Sequence, residues 1–145
     1  MASLNQKAKR AADRCCISAC TDITGFGLLG HCAEMASASG VTFELKVNDI
    51  AYFQDAVEYA KMGLVPAGTY KNRGYSIGSV DAQGIEEFYL DLLYDPQTSG
   101  GLLLSVARED LGTLLSELKA SGIDTAVSVI GSVAPESDKL IRLLK

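Results

Sequence analysis

Eleven residues, Thr21 to His31, read TDITGFGLLGH: one carboxylate and three glycines stand between two apolar runs, where a core element would carry bulk. Glycine has no Cβ, so such a stretch serves a tight turn or a close approach of backbone to another segment or to a ligand. The turn leads straight into helical spacing. In GLLGHCAEMASAS, Leu28 or Leu29, Cys32 or Ala33, and Ala36 fall on one side, and Gly40 is the C-terminal stop. Asp22 is therefore expected beside a helix start, near backbone N–H groups that have no partner within the helix.

The rest of the chain fills in around that turn. Ser3 to about Cys16 has a helical pattern with a narrow face of Leu4, Ala8, Ala11 or Ala12, and Cys15. Val41 to Val47 alternates like a strand with one covered face. AYFQDAVEYAKMG returns to helix, with Phe53, Ala56, Val57 and Ala60 inward and Gly63 ending it. Leu64 to about Gly84, including GTYKNRG, shows no sustained period and is expected to be irregular, which is long for an inert loop. FYLDLLY and LLLSV are apolar runs separated by DPQTSGG, a cluster of turn formers expected to join strand to strand. Leu102 to Val106 is the expected buried strand. An amphipathic helix with Leu111, Leu114, Leu115 and Leu118 follows, then VSVIGSVA and KLIRLL as closing strands around the turn PESD. Helices interleaved with about four short strands predict an α+β layered domain, with helices packed on a mixed sheet. The final β, helix, β, β order is half of a split βαβ arrangement.

A chain of 145 residues, 48% hydrophobic, supports one domain that hides roughly 70% of its unfolded surface. Its formal net charge is −5, with 13 basic and 18 acidic residues interspersed, so it has no basic stripe and nucleic acid is not an expected partner. No apolar run nears the roughly 20 residues of a membrane span, and MASLNQKAKR lacks a signal peptide's apolar segment; a cytoplasmic protein is expected. Cys15, Cys16, Cys20 and Cys32 form no C-x-x-C pair, and the single histidine, His31, is adjacent to Cys32. They are expected to be reduced, mostly buried thiols.

Two readings of the glycine stretch compete on its residues alone. Thr21, Asp22 or Thr24 is a helix cap and the glycines permit close packing. Alternatively, Asp22 is a ligand for a hard cation such as Mg²⁺, and the glycines let backbone approach an anion at the helix N-terminus. DPQTSGG divides similarly between a plain turn and a backbone approach by Ser99 and its glycines. In GTYKNRG, Thr69, Lys71, Asn72 and Arg73 are either a solvated loop or a phosphate-facing one. For His31, packing outweighs general-base duty.

At these residues the sequence resembles a known family. ACTDITGFGLLGH, VPAGTYKNR and LLYDPQTSGGLLLSV, in this order and separation, resemble the C-terminal half of selenophosphate synthetase, also called selenide, water dikinase. The resemblance runs from about Met1 to the final strands. It implies a fold like the C-terminal domain of aminoimidazole ribonucleotide synthetase, in a two-domain enzyme that turns ATP, selenide and water into selenophosphate, AMP and phosphate with Mg²⁺. The family's N-terminal domain carries the catalytic cysteine or selenocysteine and most magnesium-binding aspartates. The resemblance thus makes residues 1–145 a C-terminal domain whose N-terminal ATP-binding partner is absent, inactive by itself and part of a homodimer when full length.

The family's magnesium ligand in this motif corresponds to Asp22, and its phosphate-approaching turn to Thr24, Gly25 and Gly27. Cys15, Cys16 and Cys20 do not inherit the catalytic thiol's role. Ala51 departs from the family's common proline, at a helix entry away from the site. Sister enzymes such as thiamine monophosphate kinase or a hydrogenase maturation factor share the domain plan, but the full TDITGFGLLGH with DPQTSGG favours the selenium enzyme. A reading of a different class is a freestanding, non-catalytic binding module.

Overall fold

The computed structural model of the chain describes residues 5–145. Over them run α1 (Gln6–Ala12), β1 (Ile17–Asp22), α2 (Gly27–Ser39), β2 (Val41–Lys46), α3 (Gln54–Lys61), α4 (Ala67–Ser76), β3 (Val80–Asp81), α5 (Glu87–Leu93), β4 (Leu102–Val106), α6 (Leu111–Ala120), β5 (Gly131–Pro135) and β6 (Ile141–Leu144). Helices pack on a mixed four-stranded sheet of order β3-β6-β2-β5, so the α+β layered expectation holds. β6 runs parallel to both β2 and β3, while β5 is antiparallel to β2.

The larger core lies where α2 and α5 cover this sheet. Leu29, Cys32, Met35 and Ala36 of α2 recur at helical spacing and meet Phe43 and Leu45 of β2, Ile141 and Leu143 of β6, and Leu90, Leu93 and Tyr94 at α5. Gly40 ends α2 in the left-handed conformation, φ 61°, which a glycine adopts without steric cost. Thr42 of β2 is wholly buried, yet its hydroxyl donates to Lys139 O at 2.8 Å and accepts from Ser137 N–H at 3.0 Å, so no polar group is stranded there. A second core is smaller. β1 and β4 form an antiparallel ribbon, covered by Ala11 and Ala12 of α1 and by Leu114 and Leu118 of α6.

Several expectations are corrected. α1 ends at Ala12, short of Cys16, and the residues after it form strand β1, which the sequence reading did not separate from the turn; Ser3 and Leu4 lie outside the described residues. β4 is only half-buried, because its ribbon has two strands and a cover on limited area. Phe53 is 78% exposed: it sits in extended backbone before α3, and Tyr52 turns in beside it, its hydroxyl donating to Val47 O at 3.1 Å. Residues 64–84 are not irregular but hold α4 and β3. FYLDLLY belongs to a helix, with Leu90, Leu93 and Tyr94 inward, so DPQTSGG joins helix to strand. The split βαβ is broken, since β4 lies in a different sheet from β5 and β6; nor do the closing strands pair, because β2 stands between them.

The thiols are not mostly buried. Cys15 is half-buried, Cys16 and Cys20 are exposed, and only Cys32 is inside, where burial pushes its thiol up to about 12. Exposed and half-buried residues alternate along β1, so Cys20, like Ser18 and Asp22, falls at an exposed position, whereas Cys32 lies within the core beneath α2. Among the described residues no helix is long and apolar enough to cross a membrane.

Leu29→Ala is expected to lower unfolding free energy by about 2–5 kcal/mol in urea denaturation, the range for emptying a packed core site; a loss within error contradicts the α2 packing. Iodoacetamide at pH 8 should modify Cys16 in the folded chain and leave Cys32 untouched until denaturant is added, as peptide mass analysis will show; native-state labelling of Cys32 contradicts its burial.

Candidate functional site

β1 delivers Asp22 to the end of the ribbon, opposite Leu102. Beyond the ladder the two chains stay joined: Ile23 N–H donates to Gly101 O at 2.9 Å, Gly100 N–H to Ile23 O at 2.9 Å, and Gln97 N–H to Thr24 O at 3.0 Å. The glycine turn and the DPQTSGG loop therefore form one unit. Missing side chains make this possible. A Cβ at Gly100 would lie 3.0 Å from Ile23, and one at Gly27, where φ is 70°, would come within 2.8 to 3.0 Å of the backbone of Leu93, Tyr94 and Asp95.

The third stretch completes the site. Asn72 of α4 donates from Nδ2 to Gly25 O at 2.8 Å and to Tyr94 O at 3.0 Å, bridging the turn to the end of α5. Gly68, near the start of α4, abuts Pro96, whose Cγ would be 2.9 Å from an added Cβ. All three sequence stretches thus meet at one place. Lys71 is exposed, whereas Arg73 is no phosphate-facing charge: its guanidinium pairs with Glu87 on α5, the Nη2 to Oε2 contact measuring 3.1 Å, and holds that carboxyl below its ordinary range. Asp91, buried next to this pair, is pushed upward by burial and then by Glu87.

Asp22 is exposed, and its carboxylate makes no hydrogen bond or ion pair among the described residues. The capping reading fails here: Phe26 occupies the cap of α2, and no side chain caps the helix. Gly27 N–H turns back to Thr24 O at 3.0 Å, and the N–H groups that follow it in the first turn are left for another acceptor. Gly25, unlike Gly27, is under no steric demand from the rest of the domain. An added Cβ there would meet nothing within 4 Å, so the residue leaves open space over the turn. Thr24 faces inward to His31, Oγ1 to Nε2 at 3.1 Å, and His31 Nδ1 lies 3.1 Å from Glu34 Oε2. His31 is buried as expected, but in a polar chain that the sequence reading missed; His31 and Glu34, three residues apart on a helix, were its visible signal. Among the described residues no three of His, Cys, Asp and Glu gather as a metal site.

An α+β domain with these three stretches converging on one glycine turn matches a known family across nearly its whole length. Residues 3–142 match the family described as AIR synthase related protein, C-terminal domain, and the chain belongs to it. Among individual proteins, it is 45% identical over 141 residues to selenide, water dikinase 2 of Peptoclostridium acidaminophilum, covering 97% of this chain and 40% of that protein. It is 41% identical to selenide, water dikinase of Treponema denticola, covering 99% and 41%, and 48% identical to that of Caldanaerobacter subterraneus, covering 81% and 34%. The chain thus spans between about a third and two fifths of the length of these relatives.

Asn72→Ala is expected to cost about 1–3 kcal/mol in thermal or urea unfolding, because two carbonyls lose their shared donor. Asn72→Asp should cost more, setting a carboxylate against those same oxygens. Wild-type stability for both would contradict the bridging role.

Proposed function

We propose that the chain acts as the C-terminal domain of a selenophosphate synthetase, which makes selenophosphate, AMP and phosphate from ATP, selenide and water. The observation that carries this reading is that 97% of the chain matches a selenide, water dikinase at 45% identity. The convergence of the three stretches supports it, since their order in sequence becomes a single place in the fold. The remaining three fifths of such an enzyme would carry the nucleotide-binding domain, the catalytic chalcogen residue and the dimer contact. The protein would work in the cytoplasm.

On this reading Asp22 supplies one carboxylate to Mg²⁺. The donor set fits: a hard cation of this kind takes one or two carboxylates, with water and phosphate oxygens in its other positions. Asp22 is exposed and unpaired, and the described residues offer no cluster of their own, which suits a ligand completed from another domain. Bound there, the ion would neutralise phosphate charge during phosphoryl transfer. The turn at Thr24, Gly25 and Gly27 opens into the first turn of α2, whose N–H groups after Gly27 have no side-chain cap, and leaves open space above Gly25 toward the phosphates. Phe26 and Tyr75, stacked 6.4 Å apart and largely exposed beside the turn, would be covered when the domains meet.

In the full-length protein, Asp22→Asn keeps shape and removes charge. Selenide-dependent ATP turnover should fall about a hundredfold, the scale of losing one electrostatic stabiliser, with unfolding unchanged. Undiminished turnover at saturating Mg²⁺ overturns the assignment.

A further inference from the structure

Between α3 and α5 lies an open pocket of about 400 Å³. Phe88 and Ala60 give it carbon surface, while Lys61, Glu86, Glu87 and Asp91 give it charge. These charges do not balance. Arg73 turns both Nη groups to Glu87, and Lys61 donates to Glu58 Oε1 at 3.2 Å, so each of the two cations is matched to an exposed carboxylate. Glu86 and Asp91 are left over. The Glu86 side chain is exposed and makes no hydrogen bond or ion pair among the described residues, not even to the first turn of the helix it precedes.

Asp91 is the anomaly. Its side chain is only 9% exposed, its Oδ1 is buried without a hydrogen bond, and its ion-pair partner, Arg73 Nη1, stands 4.0 Å off, beyond hydrogen-bond reach. A carboxylate taken out of water in this way is costly unless a proton or a further cation joins it. The pocket that Asp91 lines gives such a cation a way in.

The walls decide the kind of cation. A metal ion seeks a shell of oxygens, and among the described residues no three of His, Cys, Asp and Glu gather to begin one. The Phe88 ring, by contrast, already carries an alkylammonium: Lys61 Nζ lies 5.4 Å from its centroid. A ligand of that same chemistry, with an apolar chain along Phe88 and Ala60 and an ammonium at each end, matches two unpaired carboxylates.

We propose that this pocket binds a short aliphatic diamine, one ammonium paired with Asp91 and the other with Glu86. The site lies outside the Asp22 reading and stands or falls without it.

Isothermal titration of the full-length protein with 1,4-diaminobutane at pH 8 tests it. One diamine per chain is expected, bound at least about tenfold more tightly than n-butylamine, on the scale of one charge-assisted hydrogen bond. The uncharged 1,4-butanediol should give no heat of binding. Asp91→Asn should lose diamine and monoamine alike. Glu86→Gln, at an exposed position, should bring the diamine down to the affinity of the monoamine and leave the monoamine unchanged; it decides the matter if Asp91→Asn fails to fold. Wild-type diamine affinity in Glu86→Gln, equal affinity of the wild type for the two amines, or displacement of the diamine by equimolar Mg²⁺ overturns the proposal.

Discussion

The amide of Asn72 holds together segments that are far apart in sequence. One nitrogen gives its two protons to the carbonyls of Gly25 and Tyr94, so α4, the glycine turn and the end of α5 cannot shift independently. Close backbone contact makes that geometry reachable: Gly27 has no Cβ to keep Tyr94 away, and Gly68 none to keep Pro96 away. The Tyr94 carbonyl, the less exposed of the two, thereby avoids a desolvation cost comparable to the whole worth of a hydrogen bond. The position of Asp22 follows from this arrangement, because its strand is zipped to the loop that the same contacts hold.

The turn also lies where two cores meet. Ile17, Leu104 and Val106 of the ribbon pack toward α1 and α6, while Ala19 and Leu103 pack toward the larger core beneath α2. The β1–β4 ribbon is thus shared, and the glycine turn carries the chain from it into α2. A carboxylate at that junction stands on rigid neighbours without being buried by them, as a ligand for something outside the domain requires.

How much of this was legible depended on whether a segment's buried face is apolar. α2 and β2 were readable because Leu29, Cys32 and Ala36, or Phe43 and Leu45, repeat with the period of their element, and Gly40 marks the stop. α4 was not, since its inward residues, Thr69, Asn72, Arg73 and Ser76, are polar: the helical period is present but written in hydrogen-bonding groups. α5 is too short for its period to separate helix from strand, and Phe53 points out because Tyr52, its neighbour, fills the inward place. Of the site, Asp22 and its glycines stood out by composition and by resemblance. The demand for glycine at position 27 did not, since it comes from backbone beyond position 90.

The central claim is that this domain presents Asp22 to a cation bound with a nucleotide on the rest of the protein. A crystal structure of the full-length protein with Mg²⁺ and a non-hydrolysable ATP analogue tests it most directly. The account predicts an Asp22 carboxylate oxygen at about 2.1 Å from a Mg²⁺ that also touches phosphate oxygens. An Asp22 side chain facing bulk solvent, with every Mg²⁺ ligated wholly by other residues, would contradict it.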